Sequence, residues 1–416
     1  MRRRLPPALQ LRDFALLWSS LLTNGLAAQM LAVAIGWQVY EIHHNPFDLG
    51  LVGLLEFLPL PILALPAGQV ADRLPRRAVT AASYVVVIGI AVALAFVTVS
   101  GADRLWPYLV LAVVSGAASV VGNPAARAMT REIVPEDLLA NAMALRSVAG
   151  QAGVIAGPAL GGVIFSIEPV AVYVTAAALL TGSLAAVLAM RPAAASLVTD
   201  EAPGWDSLVA GVRFIRRTRS LLGAIGLDLV AVLLGDAIAL APVFASSILH
   251  TGPIGLGLLR TAPSIGALAA GLLLTRRPLS YPAGRTLLAV VAIFGASMIV
   301  FGLSKWLPLS MAALAVSGFV DMISVNIRST AVTVLTPPQL QGRVSAVEWV
   351  FISASNELGA FWSGSWARLI GTVPAVVAGG AAMIAVAASW SKLFPALAHM
   401  GRLEDLRPEP VYARAE

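Results

Sequence analysis

The chain has no cysteine, so disulfides, thiol nucleophiles and thiolate metal ligands are all excluded. Histidine is almost as scarce: the four are His43, His44, His250 and His399, and no two stand in the i, i+4 relation of a helical zinc pair. Charge is thin as well. Asp, Glu, Lys and Arg make up 12% of the 416 residues, about half the ~25% of ordinary soluble domains. With a mean hydropathy of +0.84, that composition argues against a soluble enzyme or a soluble nucleic-acid-binding domain. Catalytic signatures are missing too, with no HExxH, no phosphate-binding glycine loop and no nucleophile elbow. The expectation is a protein that is not an enzyme, needs no cofactor or metal and binds no nucleic acid.

What is abundant is apolar sequence in long runs. A helix needs ~20 residues to cross ~30 Å of hydrocarbon, and about twelve runs approach or exceed that length. They fall at 14–40, 48–71, 79–100, 106–127, 140–165, 170–190, 219–249, 254–274, 286–303, 307–331, 344–366 and 373–395. Stretches such as Ala81 to Ala95 are apolar on nearly every face, whereas a transmembrane strand alternates. The run from Phe14 to Tyr40 is also too long for a 7–15-residue signal-peptide core, so it is expected to be retained as the first span. The fold class that follows is an all-α integral membrane protein with about twelve transmembrane helices in two six-helix halves.

Basic residues set the orientation, because Lys and Arg stay on the cytoplasmic side. Arg2, Arg3, Arg4 and Arg12 precede the first run; Arg73, Arg76 and Arg77 follow the second; Arg127 and Arg131 follow the fourth. Arg191, Arg213, Arg216, Arg217 and Arg219 occupy the central connection, and Lys392, Arg402, Arg407 and Arg414 the tail. The opposite side holds little beyond Arg104, Lys305 and Arg368. Both termini are therefore expected in the cytoplasm, and the net charge of +6 reads as this topology signal.

The chain also repeats itself. Gly157 and Gly359 are separated by the same interval as Ser115-Gly116 and Ser317-Gly318, in matching surroundings. A degenerate copy of the charged string GQVADRLPRR, Gly68 to Arg77, recurs at Gly271 to Pro278 with Thr275 where Asp72 stood. The organisation expected is an amino-terminal half at 1–190, a cytoplasmic linker at 191–218, a carboxy-terminal half at 219–395 and a cytoplasmic tail at 396–416. Parallel halves of this kind place a substrate cavity between them near the bilayer midplane.

The string Gly68-x-x-x-Asp72-Arg73-x-x-Arg76-Arg77 resembles motif A of the major facilitator superfamily. Gly153-x-x-x-Gly157-Pro158-x-x-Gly161-Gly162 resembles the antiporter motif of the fifth span. The runs at Ala241 to Ala245 and Pro337 to Ala346 are similar to the branch of enterobactin exporters and macrolide efflux carriers. The resemblance implies motif A as a cytoplasmic latch, with Asp72 near the start of the eleventh span and Arg127, Arg146, Arg343 and Glu348 as candidate partners. It implies exchange and export for the glycine–proline motif. It further implies proton-coupled antiport of a small or medium organic compound, siderophore-like or drug-like, by a monomer in the inner membrane of a bacterium. A facilitator or importer of a nutrient or lysolipid is the alternative.

Intramembrane carboxylates are the candidates for proton coupling or substrate contact, since ionisable groups in hydrocarbon are costly and face a cavity or a partner. These are Glu56, Asp236, Asp321 and Glu357. Asp228 is a further carboxylate in the seventh run, and Asp321 and Arg328, two turns apart, share one helix face. The drug-antiporter arginine of the fourth span is missing: the run carries no charge before Arg127. Aromatic residues including Trp349, Phe361 and Trp362 offer stacking surface for a planar ligand or act as interfacial anchors.

Overall fold

The computed structural model describes residues 6–63, 74–101, 104–191, 205–235, 237–276 and 281–406. Every regular element among them is helical. In hydrocarbon the backbone must satisfy its own polar groups, and a chain of long apolar runs does so as helices. The first six spans are α1 (Arg12–His43), α2 (Pro46–Phe57, continuing as an apolar span to Leu63), α3 (Arg76–Val99), α4 (Trp106–Ile133), α5 (Leu139–Ile167) and α6 (Pro169–Ala189). A shorter α7 (Trp205–Arg217) follows. Then come α8 (Arg219–Gly235), α9 (Gly252–Arg276), α10 (Ala283–Leu303), α11 (Leu307–Leu335), α12 (Pro338–Ile370) and α13 (Thr372–Leu393).

Eleven helices among the described residues are long and apolar enough to span a membrane. The 33-residue α12 is not one of them, because Glu348, Asn356, Glu357 and several serines interrupt its apolar run. A helix that polar in a membrane has to turn toward protein or a wet cavity. Turns are kept tight by caps. The Asn45 side chain accepts from the Phe47 amide at 3.1 Å to start α2, and Gly371 at φ +93° adopts a conformation that side-chain-bearing residues avoid between α12 and α13.

The linker contains more order than its composition suggests. In α7, Ile215 is buried and Val212 is half-buried, packed into a common core, while Arg213, Arg216 and Arg217 are exposed. Gly211 lets this helix close on α12: a Cβ there would stand 2.9 Å from the Arg343 carbonyl oxygen.

The chain divides into two compact units, Met1–Ala202 with Ala241–Thr261, and Pro203–Leu240 with Ala262–Glu416. In the first, α1 packs on α5 and α6, and α3 on α4 and α6. Gln38 of α1 ties four helices together, donating to Thr98 at 3.0 Å and accepting from Tyr108 at 3.1 Å and from the fully buried Tyr173. The segment 241–261 joins this unit through Tyr40 and Ser247 hydroxyls at 2.7 Å, Ser246 donating to Glu41 at 2.8 Å, and Thr261 donating to the Ile155 carbonyl at 3.1 Å. A single π turn, Phe244–Ile248, lies within it. In the second unit, α10 packs on α11 and α13, and α8 on α12 and α13.

The sequence repeat has a physical meaning in these packings. A Cβ on Gly116 would lie 2.0 Å from the Glu56 carbonyl oxygen, and one on Gly318 would lie 1.9 Å from that of Pro263. Each serine–glycine step thus brings one span onto the span two before it, α4 onto α2 and α11 onto α9. Gly157 is likewise held against Leu26 and Gln29 of α1, and Gly359 against Val232 and Leu233 of α8.

Candidate functional site

Among the described residues, charge inside the spans gathers in two places, one in each unit. In the first, Glu56 of α2 accepts a hydrogen bond from Ser115 of α4 at 3.3 Å and lies within electrostatic reach of Arg260 of α9. The serine is where it is because its neighbour is glycine: Gly116 allows α4 to touch the backbone of Glu56 itself. Gly36 of α1 completes the surroundings, its Cβ position 3.8 Å from the Arg260 guanidinium. The carboxylate thus lies where α2 meets α4, and the arginine within its electrostatic reach where α9 meets α1.

In the second unit, Asp228 of α8 and Arg328 of α11 form an ion pair at 2.5 Å, and both are buried. Glu348 of α12 lies within electrostatic reach of both. The Arg328 Nε is buried without a hydrogen-bond partner among the described residues.

Among the other candidates, Asp236, Gly68, Asp72 and Arg73 lie outside the described residues. Arg76 pairs with Glu132 at 2.9 Å, and Arg77 donates to the Leu188 carbonyl, so the start of α3 is tied to the ends of α4 and α6. Arg146 reaches α4, donating to the carbonyls of Ala126 at 3.0 Å and Arg127 at 3.4 Å and to the Thr130 hydroxyl at 2.8 Å. Arg343 is exposed. Asp321 and Glu357 are half-buried on α11 and α12.

The glycine–proline stretch of α5 is a two-sided packing seam. Gly153, Gly157 and Gly161 face α1 at Gly25, Gln29 and Met30, while Gly162 and Pro158 face Pro253 and Gly257 of α9. Among the described residues no group of three or more His, Asp or Glu side chains is arranged to hold a metal ion.

Sequence reading missed Arg260, although it stands alone as a charge within the run 254–274. It also missed the pairing of Asp228 with Arg328. The i, i+7 spacing directed attention to Asp321 on the same helix, while the partner that Arg328 takes is on a different one.

The transmembrane secretion effector family model, a major facilitator family, matches residues 6–408. Among curated proteins no sequence relative matches. Solved structures share the fold at low identity. The nucleoside transporter NupG matches with a TM-score of 0.73 and 12% identity over 92% of this chain and 100% of that one. A bacterial homologue of the human lysosomal transporter Spinster, inward-facing and unoccupied, matches with a TM-score of 0.73 and 16% identity over 96% and 98%. A POT family transporter in complex with 5-aminolevulinic acid matches with a TM-score of 0.72 and 12% identity over 93% and 96%. With the helical architecture and intramembrane charge pairs already described, the chain belongs to the transmembrane secretion effector family and is a membrane transporter of the major facilitator type.

Proposed function

We propose that the protein exports a small or medium-sized organic compound, siderophore-like or drug-like, by alternating access driven by proton antiport. The observation that carries this reading is the carboxylate of Glu56, inside a span, bonded to Ser115 and within electrostatic reach of Arg260. Ionised, Glu56 holds the arginine by charge; protonated, it releases that charge for a substrate group or for a rearranged packing. Proton and substrate then compete for one electrostatic arrangement, which is the minimum requirement of antiport. Export is supported by the family's description as a secretion effector and by the α5 glycine seam, whose close contacts let helices shift against one another without side-chain clashes.

The carrier is proposed to act as a monomer in a bacterial inner membrane, with Asp72, Arg73, Arg76 and Arg77 contributing to a cytoplasmic latch. The test uses proteoliposomes with and without an imposed proton gradient, and Gln or Asn substituted singly at Glu56, Asp236, Asp321 and Glu357. Glu56→Gln is expected to lower gradient-driven export about tenfold or more while leaving substrate exchange without a gradient measurable. Full gradient-driven export by all four variants would remove proton coupling from the account.

A further inference from the structure

The second unit contains a pocket that the charge pairs do not use. The helix α8 ends at Gly235, Ala237 is out of helix, and a 3-10 turn follows at Ile238–Leu240. Non-helical backbone at membrane depth is tolerated where it is buried in protein or lines a cavity, and interrupted spans in transporters mark binding sites. At this interruption a pocket with about 640 Å³ of empty space, its mouth included, opens between α8, α12 and α13.

The walls differ in a way that selects a shape. On α8 and α13 most of the lining is small, Gly235, Ala375, Ala378, Gly379 and Ala382, with Leu234 and Val376 beside them. Glycine is required there by packing as well: a Cβ on Gly379 would stand 2.6 Å from the Leu234 carbonyl oxygen. Across from it stand Trp362 and Trp366 of α12, one helical turn apart, with ring centroids 5.6 Å apart and planes tilted by 58°. Both indoles are about two-fifths exposed (40% and 39%), so the fold itself leaves their faces uncovered. No charged side chain is among the described lining residues.

We propose that this slot binds a planar aromatic ring system, the apolar portion of the transported compound, at a subsite separate from the Asp228–Arg328 pair and from Glu56. Small residues lining the same slot as two partly exposed indoles leave room for a rigid ring, which gains stacking and edge contacts there. A flexible acyl chain gains no such contact and loses more conformational freedom on entering. The word "transported" rests on the carrier function proposed above; the slot does not.

The probe is the neutral aromatic dye N-phenyl-1-naphthylamine, whose naphthyl ring is flat and which brightens in apolar sites, excited directly and titrated into full-length protein in nanodiscs. Protein-free nanodiscs give the bilayer background. A saturable component is expected, weakened about tenfold or more by Trp362→Leu with Trp366→Leu and kept within about threefold by the corresponding Phe pair. Ala382→Phe, which fills the slot from the opposite wall, is expected to abolish it even if the tryptophan variants unfold; thermal unfolding of each variant identifies those that do. A signal that rises linearly with dye and is the same for every variant means bilayer partition alone and overturns the proposal. So does saturable binding that phosphatidylglycerol displaces from lipid-stripped protein, because the slot then belongs to a lipid chain. Dye binding is read without a gradient, so loss of proton-driven export leaves it intact, and loss of dye binding with export intact strikes only the slot.

Discussion

Arg328 is buried in the last two turns of α11, where an unpaired charge is costly, so it requires a partner, and Asp228 supplies one at 2.5 Å. Removing one member of a buried ion pair strands the other and typically costs about 3–5 kcal/mol. Asp228→Asn and Arg328→Gln should therefore each destabilise strongly, and the double variant by clearly less than their sum. Chemical denaturation of the detergent-solubilised protein gives the coupling energy; additive losses would show that the pair contributes no mutual stabilisation. What could be read of such residues in advance was their depth. Glu56, Asp228 and Asp321 stood out as carboxylates in apolar runs, whereas Arg260, just as isolated within its own run, was overlooked. Their partners were not legible, because Ser115 and Arg260 approach Glu56 from α4 and α9, and a one-dimensional pattern carries no cross-helix distances.

Between helices, the close contacts are made by glycines, and the duplication predicts that they fail in matched pairs. Gly116→Ala would force a methyl to 2.0 Å from the Glu56 carbonyl oxygen, and Gly318→Ala to 1.9 Å from that of Pro263. In both cases the obstacle is backbone, which cannot rotate away, so each variant should lose about 1–3 kcal/mol or open its helix pair. Gly150 is the control in α5: nothing lies within 4 Å of its Cβ position, and alanine there should be neutral or stabilising by up to about 1 kcal/mol through helix propensity. Thermal unfolding of the three variants in one detergent makes the comparison, and equal melting of Gly116→Ala and Gly150→Ala would refute the close-approach argument. The repeat itself was legible from the Ser-Gly steps alone. Its cause was not, since α4 meets α2, and α11 meets α9, through carbonyl oxygens that any residue at position 56 or 263 would present. Helix α7 shows the opposite case. Val212 and Ile215 amid Arg213, Arg216 and Arg217 already carry an amphipathic pattern, but the polar composition of the surrounding linker outweighed it.

For the whole molecule, orientation rests on where the arginines fall, and the absence of cysteine makes that rule directly testable. Any single introduced cysteine is the chain's sole thiol, so labelling by a membrane-impermeant maleimide reports one position at a time. Ser100 follows α3 and Lys305 follows α10, both exposed, and both lie on the arginine-poor side. Arg131 near the end of α4 and Arg217 at the end of α7 are exposed on the arginine-rich side. Replacing one arginine among several leaves the charge asymmetry in place, so the four substitutions should not themselves invert the protein. In intact cells Ser100→Cys and Lys305→Cys should label at once, while Arg131→Cys and Arg217→Cys should label only after permeabilisation. The reverse pattern would place both termini outside and turn the proposed export into uptake. A mixed pattern within one pair would break the helix count, because an odd number of crossings would then separate positions that the six-plus-six arrangement puts on the same face.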